Sequence, residues 1–204
     1  MTDSPELVGR ETTGAPRPRP RFRFIALGLL LAVGLGVGLF STLGTGASTG
    51  RPKPGGAAPT FSLPRVGGSG QVGTPSTGGG DGHPAVLLFF ASWCGPCQGE
   101  VPALAKTVSR QVKRGGRLSR VVVIGVDSAD PINGVSFVHK SGVSFPVAND
   151  LNLEVTNGLY YFTGDPEAVY IYGDGTIAGI TYGPTTPSQL VSWEQRLTAA
   201  SAPD

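Results

Sequence analysis

The stretch AVLLFFASWCGPCQGEVPAL, residues 85–104, decides how the rest of this 204-residue chain is read. Its first part, Ala85 to Ala91, is a continuous apolar run, too short for most helices and bounded upstream by His83-Pro84. That pattern predicts a strand buried on both faces, at the centre of a sheet. From Pro96 to about Arg114 the apolar positions Val101, Leu104, Ala105, Val108 and Val112 repeat at helical spacing, and Gly115-Gly116 ends the helix. Cys94 and Cys97, the only cysteines, stand at the junction of strand and helix.

Three-residue spacing in a first helical turn brings two side chains onto one face, near the separation a disulfide requires. Pro96 has no amide hydrogen to lose there, and its fixed φ suits a helix start. The helix-terminal amides favour a thiolate, so Cys94 is expected to be the acidic, exposed nucleophile and Cys97 the buried resolving thiol. A static structural bridge is the competing reading, but a loop of four residues constrains the unfolded chain little. Trp93 reads equally as a packed aromatic or as part of the site. Two cysteines cannot make the framework of a disulfide-rich domain, and zinc would need further ligands when the only histidines are His83 and His139, so no metal or cofactor is expected.

Outward from this core, Phe61 and Leu63 before Gly67–Gly70 predict a short opening hairpin. Arg120 to Val126 is a second buried strand, Pro131 to Lys140 a short helix, and Phe145 to Ala148 an extended piece. Asn152 to Tyr160 is expected to make a helical turn or two. Ala168 to Tyr172 and Thr176 to Thr181 are strands joined at Gly173-Asp174-Gly175, and a helix from Pro187 to Ala199 closes the chain. Parallel strands, then an antiparallel hairpin, then a helix make a layered α/β domain with a mixed sheet.

The formal charge of +2 comes from the first 23 residues, with five arginines against three acids, so no nucleic-acid partner is implied. Residues 1–23 form a basic tail, and the uncharged run 24–43 is long enough to cross a bilayer as a helix. Arginines on its N-terminal side predict a cytoplasmic N-terminus and an extracytoplasmic domain on a single-pass anchor. A cleaved signal peptide is the alternative, although its apolar core is usually shorter. Residues 44–56 read as flexible linker, 57–199 as the domain and 200–204 as a tail. The basic set Lys106, Arg110, Lys113, Arg114, Arg117 and Arg120 reads as solvated surface rather than a docking patch.

The blocks APTFSL, AVLLFFASWCGPCQGEVPAL, VVVIGVD, FPV and TGDPEAVYIYGDGTI, in this order, resemble thioredoxin-like proteins of the TlpA and ResA type, including thioredoxins that serve cytochrome c maturation. The resemblance implies a thioredoxin-like fold and a thiol-disulfide oxidoreductase acting on cysteine pairs of exported proteins, with a membrane redox partner of unknown identity. It implies that Glu100 handles protons beside the cysteines, where the bland reading is an acid placed by the helix dipole. It also places Pro166 at the family's cis-proline, which offers backbone to an extended substrate. Asp165 departs from the pattern, since related chains carry an uncharged residue there. Pointing at Cys94, it would raise the thiol pKa; pointing at solvent, it would do nothing. Glu167 is similar to the GxPE form of cytochrome-maturation members. A peroxidatic cysteine normally stands alone, which disfavours a peroxidase. A non-enzymatic module, for example a copper-handling one, would need His83 beside the cysteines.

Overall fold

The computed structural model describes residues 50–74, 82–116 and 120–200. The predicted span 24–43, its basic tail and the residues 201–204 lie outside them. Among the described residues no helix is long and apolar enough to cross a membrane.

A five-stranded mixed sheet organises the domain, in the order β5-β4-β3-β6-β7. β3, Ala85–Phe90, is central and buried throughout. It runs parallel to β4, Val122–Ser128, and antiparallel to β6, Glu167–Ile171. β4 continues in parallel to β5, Val147–Asp150, while β6 turns back antiparallel into β7, Ile177–Tyr182. The unbroken apolar run of β3 follows from its place, because alternate side chains enter two different cores. Val86, Leu88 and Phe90 meet Val101, Leu104 and Val108 of α1, Cys97–Lys113, and Leu190 and Leu197 of α3, Pro187–Ala200. Leu87 and Phe89 face the other way, among Ile124, Val126, Tyr160, Phe162 and Val169.

The glycine pair ends α1 as expected: Gly116 donates to the Gln111 carbonyl at 2.8 Å and Gly115, at φ +64°, to Val112 at 3.1 Å. Both bonds close the orphan carbonyls of the last turn, and the left-handed φ is why glycine stands there. α2 is shorter than the predicted helix, Gly134–Lys140, because Pro131–Asn133 form a turn in which Asn133 N–H donates to Asp130 Oδ1 at 3.1 Å.

Two further differences concern the chain between these elements. The turn expected at Asn152–Tyr160 is wound more widely over Glu154–Leu159, with Gly158 N–H bonded to Leu153 O and Tyr160 N–H to Val155 O. The buried Asp150 carboxylate starts it, accepting from Val155 N, Thr156 N and Thr156 Oγ1. This winding delivers Tyr160 and Phe162 to Phe89, with ring centroids at 5.2 and 4.9 Å. The extended piece expected at Phe145–Ala148 lies two residues later.

The opening hairpin pairs β1, Ser62–Pro64, with β2, Gln71–Gly73. Residues 51–56, read as linker from composition, are bonded to the sheet. Gly55 N–H donates to Ile177 O, Ile177 N–H to Gly56 O, and the Arg51 guanidinium to Tyr161 O at 3.2 Å. Further on, Val66 N–H donates to Val147 O, and Arg65 bridges to Ala148. One lead-in segment therefore touches β7 and then β5, the two outer strands.

Candidate active site

Strand β3 ends at Phe90, and the chain must turn from the sheet into α1 within six residues. Cys94 N–H bonds Ala91 O at 3.2 Å, and Asp130 Oδ2 accepts Ser92 N–H at 2.7 Å. The Gln98 side chain closes the turn by donating to Ser92 O. Pro96 takes helical angles, φ −59° and ψ −33°, and caps α1 while Glu100 N–H and Gly99 N–H return to its carbonyl. Its ring thus fixes the turn where the missing donor costs nothing.

Cys94 and Cys97 form a disulfide across this first turn. Cys97 N–H points at Cys94 Sγ at 3.2 Å, an amide placed to stabilise negative charge on that sulfur once the bridge opens. Cys94 differs from expectation in exposure. It is 4% exposed and Cys97 0%, because both pack into the core cluster with Phe90 and Ala168. Trp93, at 59%, is exposed together with Gly95 and Pro96, so the motif shows the surface its other three members around the buried sulfurs.

Pro166 is buried, its peptide bond with Asp165 is cis, and its carbonyl accepts Gly183 N–H. Ala168, two residues on, joins the cluster that holds both cysteines, which brings the Pro166 loop and the disulfide to one end of the sheet. Asp165 points neither freely to solvent nor into a charged pair: Ser128 Oγ donates to its Oδ1 at 3.3 Å, and burial pushes its pKa to about 6.

Glu100 lies one turn past Cys97. Its Oε1 accepts Thr185 N–H at 2.7 Å, while Oε2 is buried with no hydrogen-bond partner among the described residues. Burial pushes its pKa up to about 7, and the Thr185 bond only partly offsets that. A carboxyl poised near neutrality can give or take a proton at working pH. Glu167 lines a small void together with Glu100, Leu88 and Phe90, carries a buried Oε2 with no partner among the described residues, and is also pushed to about 7 by burial, then by Asp165, against the pull of Arg51.

Asp127, Asp130 and Ser128 were not singled out from the sequence as site residues. The signal available was VDSAD, carboxylates at and just past the end of a buried strand. His83 is exposed before the first residue of β3, whereas the cysteines follow its last. A six-residue strand, about 20 Å long, separates them, which removes the histidine that a copper-handling module would require. The basic set on α1 and after it is exposed at Lys106, Arg110, Lys113, Arg114 and Arg120.

The AhpC/TSA family model matches residues 54–179, more than half of the chain. The chain belongs to the AhpC/TSA family. Among relatives of this AhpC/TSA member, the thiol-disulfide oxidoreductase ResA of Oceanobacillus iheyensis is 28% identical over 136 residues, 67% of this chain and 68% of that one. The thiol:disulfide interchange protein CycY of Rhizobium leguminosarum bv. viciae is 33% identical over 112 residues, 53% of this chain and 55% of CycY. A solved Chlorobium tepidum protein named as thiol:disulfide interchange protein DsbE superposes with a TM-score of 0.58 at 27% identity, covering 74% of this chain and 99% of the other. A secreted Mycobacterium tuberculosis disulfide oxidoreductase does so with 0.55 at 25%, covering 67% and 96%. The fold is thioredoxin-like. Within it, a bridge that opens and closes at a helix terminus makes thiol-disulfide oxidoreduction the chemistry of this AhpC/TSA site.

A pH prediction follows from the buried carboxyls. Glu100 has a folded-state pKa above its ordinary value, so between about 4.5 and about 7 the folded chain binds more protons than the unfolded one. Its contribution to stability is present below that window and is lost as pH rises through it. Glu100→Gln should therefore gain stability relative to wild type from about pH 5 to about pH 8, read as the difference in urea midpoints. A difference that stays constant with pH would show that Glu100 does not titrate in this range.

Proposed function

We propose that this chain holds its thioredoxin-like domain outside the cytoplasmic membrane on the 24–43 span and exchanges disulfides with cysteine pairs of exported proteins, apocytochromes among them. Cys94 attacks, Cys97 resolves the mixed disulfide, and Glu100 supplies or takes the proton of the buried sulfur. The observation that carries this reading is the bridge at the start of α1 with Cys97 N–H on Cys94 Sγ, beside an exposed Trp93.

Two apolar side chains flank the loop that Asp130 clamps. Trp93 and Ile132 are 59% and 85% exposed, a surface suited to an unfolded client segment rather than a small molecule. The Pro166 carbonyl is already bonded to Gly183 N–H, so an extended substrate would pair with the backbone ahead of it, at Gly164 and Asp165. Neighbouring carboxyls at Asp165 and Glu167 disfavour acidic clients. The ResA and CycY names of its relatives support an exchange role, and a membrane-bound dithiol or disulfide partner completes the cycle.

The direction of electron flow is set by the potential of the Cys94–Cys97 couple against its compartment, where about 30 mV corresponds to about tenfold in equilibrium constant. Placement is tested by removing residues 1–43 behind an export signal. The domain should then leave the membrane fraction and appear soluble outside the cytoplasm, whereas a full-length chain that fractionates as soluble and cytoplasmic would refute the anchor.

A further inference from the structure

Two buried oxygens at the end of the sheet have no donor among the described residues. Asp127, near the end of β4, is 1% exposed, and its Oδ1 has no hydrogen-bond partner among the described residues. Its register partner on β5 is Asn149, whose Oδ1 is likewise buried and unpartnered. Paired positions on neighbouring strands share a face about 4.8 Å apart, within reach of these short side chains. Two acceptors so placed are unfavourable until a proton lies between them. A neutral Asp127 carboxyl, donating to Asn149 Oδ1, would supply that proton, and with the disulfide closed it is absent above about pH 7.

The rest of the surroundings agree. On the other side Asp127 pairs in register with Phe90, which offers no donor. From α2 it meets the backbone of Gly134, where an added Cβ would collide with the carboxylate. The charged groups acting on it are Asp130 from the following turn and Asp165 from the loop before β6, and no cation pairs with it among the described residues. Burial first, then these two acids, push its pKa to about 7.

The position also faces the reactive loop. By strand alternation Asp127 shares the face of Gly125, which lies against the Phe90 ring, and Phe90 belongs to the core cluster of Cys94 and Cys97. Ala91, next after Phe90, accepts the Cys94 N–H, and Ser92 is clamped by Asp130. A charge on Asp127 would act on Cys94 through buried protein rather than through solvent.

We propose that Asp127 takes up a proton when the Cys94–Cys97 disulfide is opened and holds it toward Asn149 Oδ1, so that the Cys94 thiolate forms near a neutral carboxyl. The inference rests on Cys94 as the attacking thiol. In the step, a dithiol donor loses two electrons and two protons and closes its own disulfide. The Cys94–Cys97 bond breaks, one proton goes to Cys97 Sγ, and the other goes to Asp127. Asp127 is a positioning residue acting through its field rather than by contact with the sulfurs.

The equilibrium constant for reduction by dithiothreitol, measured from about pH 6 to about pH 8.5, reads this directly. Each proton taken up changes that constant about tenfold per pH unit. The ratio of Asp127→Asn to wild type should rise with pH, by up to about tenfold per unit above pH 7, because the variant cannot take up the second proton. A purely structural role leaves the ratio constant, which would overturn the proposal. Infrared difference spectra of wild type, reduced minus oxidised at about pH 7.5, should show the gain of a protonated carboxyl band. That band should vanish in Asp127→Asn, persist in Glu100→Gln, and shift in Asn149→Leu, which also serves if Asp127→Asn fails to fold. No gained band, as an Asn149 amide donating to an ionised Asp127 would give, overturns the proposal, as does a band indifferent to Asn149→Leu. The trapping pattern of Cys97→Ser tests the attacking thiol independently, so the two failures are distinguishable.

Discussion

Cys94→Ser is expected to abolish disulfide exchange, by about a thousandfold or more, while Cys97→Ser stops turnover but accumulates mixed disulfides with client proteins. Serine's hydroxyl cannot form the sulfur–sulfur bond through which electrons pass, so no partial route survives at position 94. At position 97 the first attack is intact and only its resolution is lost. The asymmetry comes from the helix start: the Cys97 amide points at Cys94 Sγ, and Cys94 retains 4% exposure where Cys97 has none. The measurement is non-reducing electrophoresis of each variant mixed with a dithiol client, together with single-turnover rates. Trapping by Cys94→Ser and not by Cys97→Ser would exchange the two roles. Loss of the cross-link itself should cost little stability, since the bridge spans a separation of three residues and restricts the unfolded chain little.

The largest loss of stability is expected at Phe89→Ala, about 3–5 kcal/mol. Phe89 is 1% exposed, stands on the central strand, and packs its ring against Tyr160 at 5.2 Å and edge-on against Phe162 at 4.9 Å. Truncation leaves a cavity between a strand and a turn that are each held by their own hydrogen bonds, so collapse to fill it is restricted. Domains of this kind hold only about 5–15 kcal/mol in total, so the variant would sit close to unfolding. Urea unfolding with an unchanged slope checks the value. Val112→Ala, 49% exposed on α1, should stay within about 0.5 kcal/mol and serves as the control. Equal effects at the two positions would mean that the Tyr160–Phe162 layer contributes little.

What was legible in the chain was whatever repeats locally. AVLLFF announced a strand buried twice over, and Gly115-Gly116 marked the end of α1 because a left-handed residue is needed there. The cysteine pair was legible because spacing and a helix start are both local. What escaped depends on residues far apart. The wide turn at Glu154–Leu159 is started by Asp150 and ends by delivering two rings to Phe89, a requirement no window around Asn152 contains. Asp127 and Asp130 read as ordinary acids after a strand. Only folding sets one against Asn149 and the other beneath Ser92 N–H. Residues 51–56 looked like linker from composition, whereas their bonds to β7 and Tyr161 are backbone and guanidinium contacts that composition does not encode.

The lead-in segment that touches β7 at Gly55 and Gly56 and β5 at Arg65 and Val66 has a consequence for many copies held close together. An open sheet ends in rows of unspent amides and carbonyls, which template strand-to-strand growth between molecules. Here part of each row is already occupied by the chain's own backbone, and the occupant precedes the sheet in sequence, so it is ready when the outer strands form. Copies crowded side by side thus meet rims that are partly closed to polymerisation.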